Sequence, residues 1–155
     1  MTDPAAARGR LGAAQRDLVA ALVAGAPAPP GFAADRVAAT ADALLRKRVR
    51  EIAAVWPALA VALGARFADQ VAGTLGGRPP AGALTDGWLV ARELAAAGRL
   101  PPVARTELAT VDAAHRLRAG RLVHRRGVGL RLARTPGGLA LAVRIGRRLW
   151  RLPRT

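Results

Sequence analysis

The chain has 155 residues, 52% hydrophobic and 23% charged, and its 25 Lys and Arg against 10 Asp and Glu give a formal net charge of +15. That is enough chain for one ordinary domain or a domain with a small appendage, and its apolar content excludes a wholly disordered protein. Cysteine, serine, tyrosine and asparagine are absent, which excludes disulfides, thiolate zinc sites and thiol or serine nucleophiles.

The first element starts at Asp3-Pro4, where an acid caps free amides and a proline lacks the amide that would be orphaned. A helix to about Ala24 follows, with Leu11, Ala14, Leu18, Ala21 and Leu22 at helical spacing, and Gly25 with Pro27 ends it. The run Leu18 to Ala34 is uncharged, but Pro27, Pro29 and Pro30 interrupt it, and a spanning helix needs about 20 apolar residues. Asp3 and Asp17 also argue against a cationic secretory leader, so no membrane span and a cytoplasmic location are expected.

Asp35 is the expected cap of a second helix, with Val37, Ala41, Leu44, Leu45, Val49, Ile52 and Val55 as its inward stripe. Its other face carries Arg36, Arg46, Lys47, Arg48 and Arg50. Pro57 breaks the helix after Trp56, a short turn runs from Ala58 to Leu63, and Gly64 closes it. A further helix from about Ala65 to Leu75 buries Phe67, Val71 and Leu75 before the stop at Gly76-Gly77-Arg78-Pro79-Pro80. Thr85-Asp86 reads as the next cap, opening a helix with Trp88, Leu89, Ala91 and Leu94 that ends near Gly98. The last helix starts around Pro102 and carries Val103, Leu108, Val111 and Leu117.

The tail has a different period and a different charge. From Val128 apolar residues recur every second position, as Val128, Leu130, Leu132 and then Leu139, Leu141, Val143, Ile145. Thr135-Pro136-Gly137-Gly138 between them has the chemistry of a tight turn, and Arg147 to Leu152 suits a third strand. Residues 1–77 hold nine Lys/Arg and six Asp/Glu, whereas residues 78–155 hold sixteen and four. After Asp112 there is no acid at all, yet twelve arginines and both histidines follow. Such local charge points to an anionic partner or an acidic protein face. Twenty-four of the basic residues are arginine, a bias that a GC-rich genome produces, but that bias does not remove acids from the tail.

The expected fold is mainly α: a helical bundle of five or six segments with a small C-terminal antiparallel β-hairpin or three-stranded meander. Two units are expected, a helical domain over 1–118 and an Arg-rich hairpin subdomain over 119–155.

Little in the chain suggests catalysis. His115 and His124 are nine apart, the wrong spacing for a helical metal pair, and read as two solvated histidines. No phosphate-cradling glycine loop or paired-carboxylate motif is present, so neither a catalytic residue, a metal nor a cofactor is expected. Two basic features remain. The strand arginines Arg131, Arg134, Arg144, Arg147 and Arg148, with Trp150, could seat an acidic peptide as an added strand. The helical cluster Arg46, Lys47, Arg48 and Arg50 reads first as a solvated face and alternatively as a nucleic-acid contact.

An ordered set of residues resembles the HvfC/BufC family over about residues 8 to 118. It comprises Leu11 and Gln15; Leu44, Leu45 and Arg48; Trp56, Pro57, Leu59, Leu63, Gly64 and Phe67; Arg78, Pro79 and Pro80; Gly87 and Trp88; then Leu100, Pro101, Ala104, Arg105, Glu107 and Leu108. The tyrosine common ahead of the family's central arginine helix is missing here, and the Arg-rich hairpin is more similar to that of an actinobacterial subgroup. The family's N-terminal region carries a DNA-binding label. Better-understood members resemble partner subunits of multinuclear non-haem iron oxidases, TIM-barrel enzymes that modify cysteines in ribosomally made peptides. The resemblance therefore implies a non-catalytic accessory protein that docks such an oxidase and helps recruit its precursor peptide, with nucleic-acid binding as the alternative.

Overall fold

The computed structural model describes residues 4–125, 128–135, 138–145 and 148–153, the last three segments as backbone strands. The fold is mainly α, a helical bundle followed by antiparallel strands. Among the described residues there are six α-helices: α1 (Pro4–Ala24), α2 (Ala34–Val55), α3 (Pro57–Leu63), α4 (Phe67–Leu75), α5 (Ala83–Ala96) and α6 (Pro102–Ala114). A 3-10 turn, Gly64–Arg66, joins α3 to α4. Two strands, β1 (His115–Arg118) and β2 (Arg121–His124), form a hairpin, and β3 (Val128–Thr135), β4 (Gly138–Ile145) and β5 (Arg148–Pro153) form a separate sheet.

The break at Trp56-Pro57 organises the bundle. Pro57 takes the first position of α3, where its missing amide costs nothing, and the chain bends by 114° between α2 and the Pro57–Leu75 stretch. That bend sends Trp56 fully inside, where its indole Nε1 donates to Leu84 O at 3.2 Å. Around it the core gathers Ile52 of α2, Leu59 and Leu63 of α3, Phe67, Val71 and Leu75 of α4, and Val90 and Leu94 of α5. Leu100, Ala104 and Leu108 close the core from the α6 side. Burying one such side chain contributes about 1.5–3 kcal/mol. Gly87 lies against the face of Trp56: a Cβ built there would overlap the indole Cδ1 and Nε1 and sit 2.7 Å from Cγ. Only glycine allows α5 this approach.

Several expected details change. Neither Asp35 nor Thr85-Asp86 caps a helix, because α2 starts at Ala34 after Ala33 and α5 starts at Ala83 after Gly82, so these acids lie in first turns. Asp3 lies outside the described residues. The stripe of α1 is covered only toward its C-terminal end: Ala21 is buried, Leu18 and Leu22 half-buried, Leu11 and Ala14 exposed. In α2, Leu44 and Val55 are exposed, because the stripe is wider than the surface available to cover it. No single helix among the described residues is long and apolar enough to cross a membrane.

The last helix is shorter than its apolar spacing suggests. It stops at Ala114, and His115 is already extended at φ -128 and ψ 162, which places Leu117 on β1, 49% exposed. The hairpin turns over Ala119 and Gly120, both at positive φ (46° and 74°), with Arg118 facing Arg121 across it. Two consecutive positive φ values make the tight two-residue turn whose twist matches that of paired strands. This hairpin spans the junction between residues 118 and 119.

The three-stranded sheet has the order β3-β4-β5 with antiparallel pairing throughout. β3 and β4 lie against α6, so the meander is seated on the bundle. Thr135 pairs with Gly138 at one end of the β3-β4 ladder; Pro136 and Gly137, on which the expected turn rests, lie outside the described residues.

Candidate functional site

Three basic regions emerge, and they differ in what holds their charges. The first is the β3-β4-β5 sheet. Its register sets Arg131, Ala142 and Arg151 in one row across the sheet, and Gly129, Arg144 and Leu149 in another. Leu130, Val143 and Trp150 form the row between these two, Ile145 pairs with Arg148, and Arg134 pairs with Leu139 near the β3-β4 turn. By strand alternation Arg131 and Arg144 share one parity, whereas Arg134, Arg148 and Trp150 share the opposite one with Leu130 and Leu132. The expected binding residues therefore do not fall on a single parity. Arg147 lies outside the described residues. β5 is a terminal strand of its sheet, hydrogen-bonded to β4 on one side.

The second region is on α2. Arg46, Lys47 and Arg50 are exposed, and Lys47 Nζ sits 3.2 Å from Glu51 one turn away. Arg48 differs from these neighbours. Its Nε donates to Asp86 Oδ2 at 2.8 Å, and its terminal nitrogens reach Arg78 O at 2.9 Å and Pro79 O at 3.5 Å. Asp86 also accepts the Ala81 amide at 3.1 Å. The pair thus ties α2 to the proline-rich turn and to the start of α5, and it removes Arg48 from the basic face expected for nucleic acid. The sequence shows a charge cluster; the partner 38 residues away is visible only in the fold.

The third region is formed by the β1-β2 hairpin. Pairing of β1 with β2 sets His115 opposite His124, their ring centroids 4.2 Å apart and tilted by 38°. His115 Nδ1 faces Val111 O at 3.2 Å, and Arg125 Nε donates to His115 O at 2.6 Å. Beside them a cleft of about 580 Å³ is lined by Trp88 and Arg92 of α5, Asp112 of α6, and His115, Arg116, Leu117, Leu122 and Arg125. Trp88 Nε1 donates to Asp112 Oδ1 at 2.8 Å, and the Arg92 guanidinium lies 5.3 Å from the Trp88 ring centroid and 3.8 Å from Asp112 Oδ2. The only sequence signal for this cleft was the loss of acids after Asp112. Among the described residues no group of three or more His, Asp or Glu is placed to hold a metal ion.

Neither a curated protein nor a solved structure matches the chain. A family model does match, over residues 12–96, which takes in most of α1 and all of α2 to α5 and leaves α6 and the strands outside. Because that match covers more than half of the residues, the chain belongs to the family described as SCO6045-like, C-terminal domain.

Proposed function

We propose that this chain is a non-catalytic accessory protein of the cytoplasm that docks a multinuclear non-haem iron oxidase of TIM-barrel type and holds that enzyme's acidic precursor peptide as an added strand. The observation that carries the binding mode is the position of β5: a terminal strand within the acid-free segment that also contains Arg131, Arg134, Arg144, Arg147 and Arg148. A strand edge offers backbone N–H and C=O groups in ladder register, so an extended peptide gains affinity from the main chain. The surrounding arginines select for acidic side chains and accelerate the encounter. Trp150, paired with Val143, adds apolar area in the same strand. The class of enzyme comes from the resemblance to the HvfC/BufC family; the metal chemistry belongs to that partner.

The test has two parts. The chain should copurify with such an oxidase, and it should bind the precursor peptide with an affinity that falls when Arg131, Arg134, Arg144, Arg147 and Arg148 are changed to Ala. A peptide that binds the changed protein as well as the original removes the strand-edge mechanism.

One observation favours a second reading, binding of nucleic acid. Arg46 and Arg50 are exposed one helical turn apart on α2, a spacing that puts both on one face. Phosphate contacts of this kind lower log affinity by about 0.9 per log unit of salt for each contact on B-DNA. A flat salt dependence excludes this reading.

A further inference from the structure

We propose that the cleft between α5, α6 and the β1-β2 hairpin binds a small phosphate monoester, a dianionic phosphate attached to an apolar or aromatic organic group. Among the described residues the lining carries three guanidinium groups, Arg92, Arg116 and Arg125, and one carboxylate, Asp112, an excess of two positive charges. Asp112 is already committed: one oxygen accepts the Trp88 indole, and the other is the nearest acid to Arg92. Arg116 is exposed and has no acidic partner among the described residues, and no acid follows Asp112 in the sequence. The excess charge is therefore uncompensated.

Two features make this more than a basic surface. The first is orientation. Arg125 spends its Nε on His115 O at 2.6 Å, which orients its guanidinium against the hairpin, and among the described residues its terminal nitrogens have no acceptor. A guanidinium so oriented matches the oxygens of a phosphate through parallel hydrogen bonds. A phosphate monoester carries about −1.5 to −2 charges at pH 7, close to what the lining leaves unbalanced. The second feature is the apolar part of the lining: Leu117 and Leu122 of the hairpin and the indole of Trp88 flank the same space. A free ion would leave these groups without contact, and an organic substituent would cover them. None of these residues is used by the strand-edge reading, so the two stand or fall separately.

The experiment is calorimetric titration of the full chain with three probes at one ionic strength: phenyl phosphate, inorganic phosphate and dimethyl phosphate. Phenyl phosphate should bind tightest. Arg116→Ala and Arg125→Ala should each weaken it about tenfold or more, the usual loss for a charged hydrogen-bond pair. Arg125→Lys, which keeps the charge and removes the fork, should restore only part of the loss. Arg118→Ala, on the same hairpin but outside the lining, should leave affinity unchanged. If Arg125→Ala fails to fold, Arg116→Ala and Arg125→Lys still decide the matter. Absence of binding by phenyl phosphate overturns the proposal, as does wild-type affinity in Arg116→Ala. Equal affinity for inorganic phosphate overturns the monoester in favour of the free ion. Equal affinity for dimethyl phosphate, a monoanionic diester, overturns it in favour of a nucleic-acid backbone.

Discussion

Arg48 and Asp86 form a nearly dry ion pair, Nε to Oδ2 at 2.8 Å, with their side chains 11% and 1% exposed. Each partner also holds the chain around the other, Arg48 through the carbonyls of Arg78 and Pro79 and Asp86 through the Ala81 amide. A pair of this kind is weak evidence of net stabilisation, because desolvating two charges offsets their attraction. Losing one partner is another matter. Arg48→Met should destabilise the protein by about 3–5 kcal/mol, since it leaves Asp86 as an unpaired buried carboxylate. The double change Arg48→Met with Asp86→Ala should cost clearly less than the two single costs added, with a coupling of about 0.5–3 kcal/mol. Urea unfolding of the four proteins measures this, and strict additivity would show that the contact is incidental.

The Gly87 position tests whether the core is packed around Trp56 or merely near it. Gly87→Ala places a methyl group inside the indole, and overpacking of this sort costs about 1–3 kcal/mol despite the better helix propensity of alanine. Trp56→Phe vacates part of that volume and gives up the bond to Leu84 O, so alone it is also destabilising. Combined, the two changes should partly compensate. Thermal unfolding followed by circular dichroism reads the sign directly, and a Gly87→Ala protein as stable as the original contradicts the close approach.

Glu107 reaches from α6 to the first turn of α3, where its two oxygens accept the Leu59 amide at 2.9 Å and the Ala58 amide at 3.3 Å. These amides have no partner within the helix, and a carboxylate there also meets the positive end of the helix dipole. Glu107→Ala should cost about 1–2 kcal/mol, with Glu107→Gln losing less because one oxygen acceptor remains. Denaturant midpoints of the two variants give the comparison. Equal loss in both would assign the effect to charge alone.

Much of the helical bundle is legible in the sequence because its signals are local. Pro57, Gly25 and the Gly76 to Pro80 run interrupt helices through backbone chemistry that no tertiary contact reverses, and the alternation from Val128 to Ile145 names β3 and β4. What fails is what depends on distant partners. Asp86 has the composition of a cap and instead neutralises Arg48 across 38 residues. Leu117 continues the apolar spacing of α6, but the chain has turned to strand two residues earlier. The β1-β2 hairpin is hidden because Arg118-Ala119-Gly120-Arg121 contains neither Asn nor Asp, and its strands are rich in arginine. The cleft is hidden for the same reason, since it exists only once that hairpin folds beside α5 and α6.

The turn itself yields a stabilising change. Ala119 adopts φ 46°, where the Cβ of an L-residue meets its own backbone at a cost of about 1 kcal/mol. Asparagine tolerates this conformation, and Asn-Gly is a preferred pair for a two-residue hairpin turn. Ala119→Asn should therefore raise stability by about 0.5–1 kcal/mol, with slower amide exchange in residues 115–124. A decrease would mean that the turn does not hold two consecutive positive φ values.

The sharpest separation of the two binding modes comes from comparing distant arginines in one assay. Arg46 and Arg50 lie on α2, whereas Arg131, Arg144 and Arg148 lie in the β3-β4-β5 sheet. If the sheet edge captures an acidic peptide, Arg46→Ala with Arg50→Ala should leave peptide affinity within about twofold, because α2 is not among the elements packed on the sheet and exposed charges not in contact with the ligand are weakened by salt screening. Changing Arg131, Arg144 and Arg148 together should weaken it by about tenfold or more, through slower association where charge steers the encounter and faster dissociation where contacts are lost. Duplex DNA should respond in the opposite sense if α2 is its contact: the α2 pair reduces the salt slope by about 0.9 for each lost phosphate contact, and the sheet variants do not. Fluorescence anisotropy with labelled peptide and labelled duplex over a salt series measures both. Equal loss from both sets of arginines would show that affinity follows total charge and that neither surface is specific.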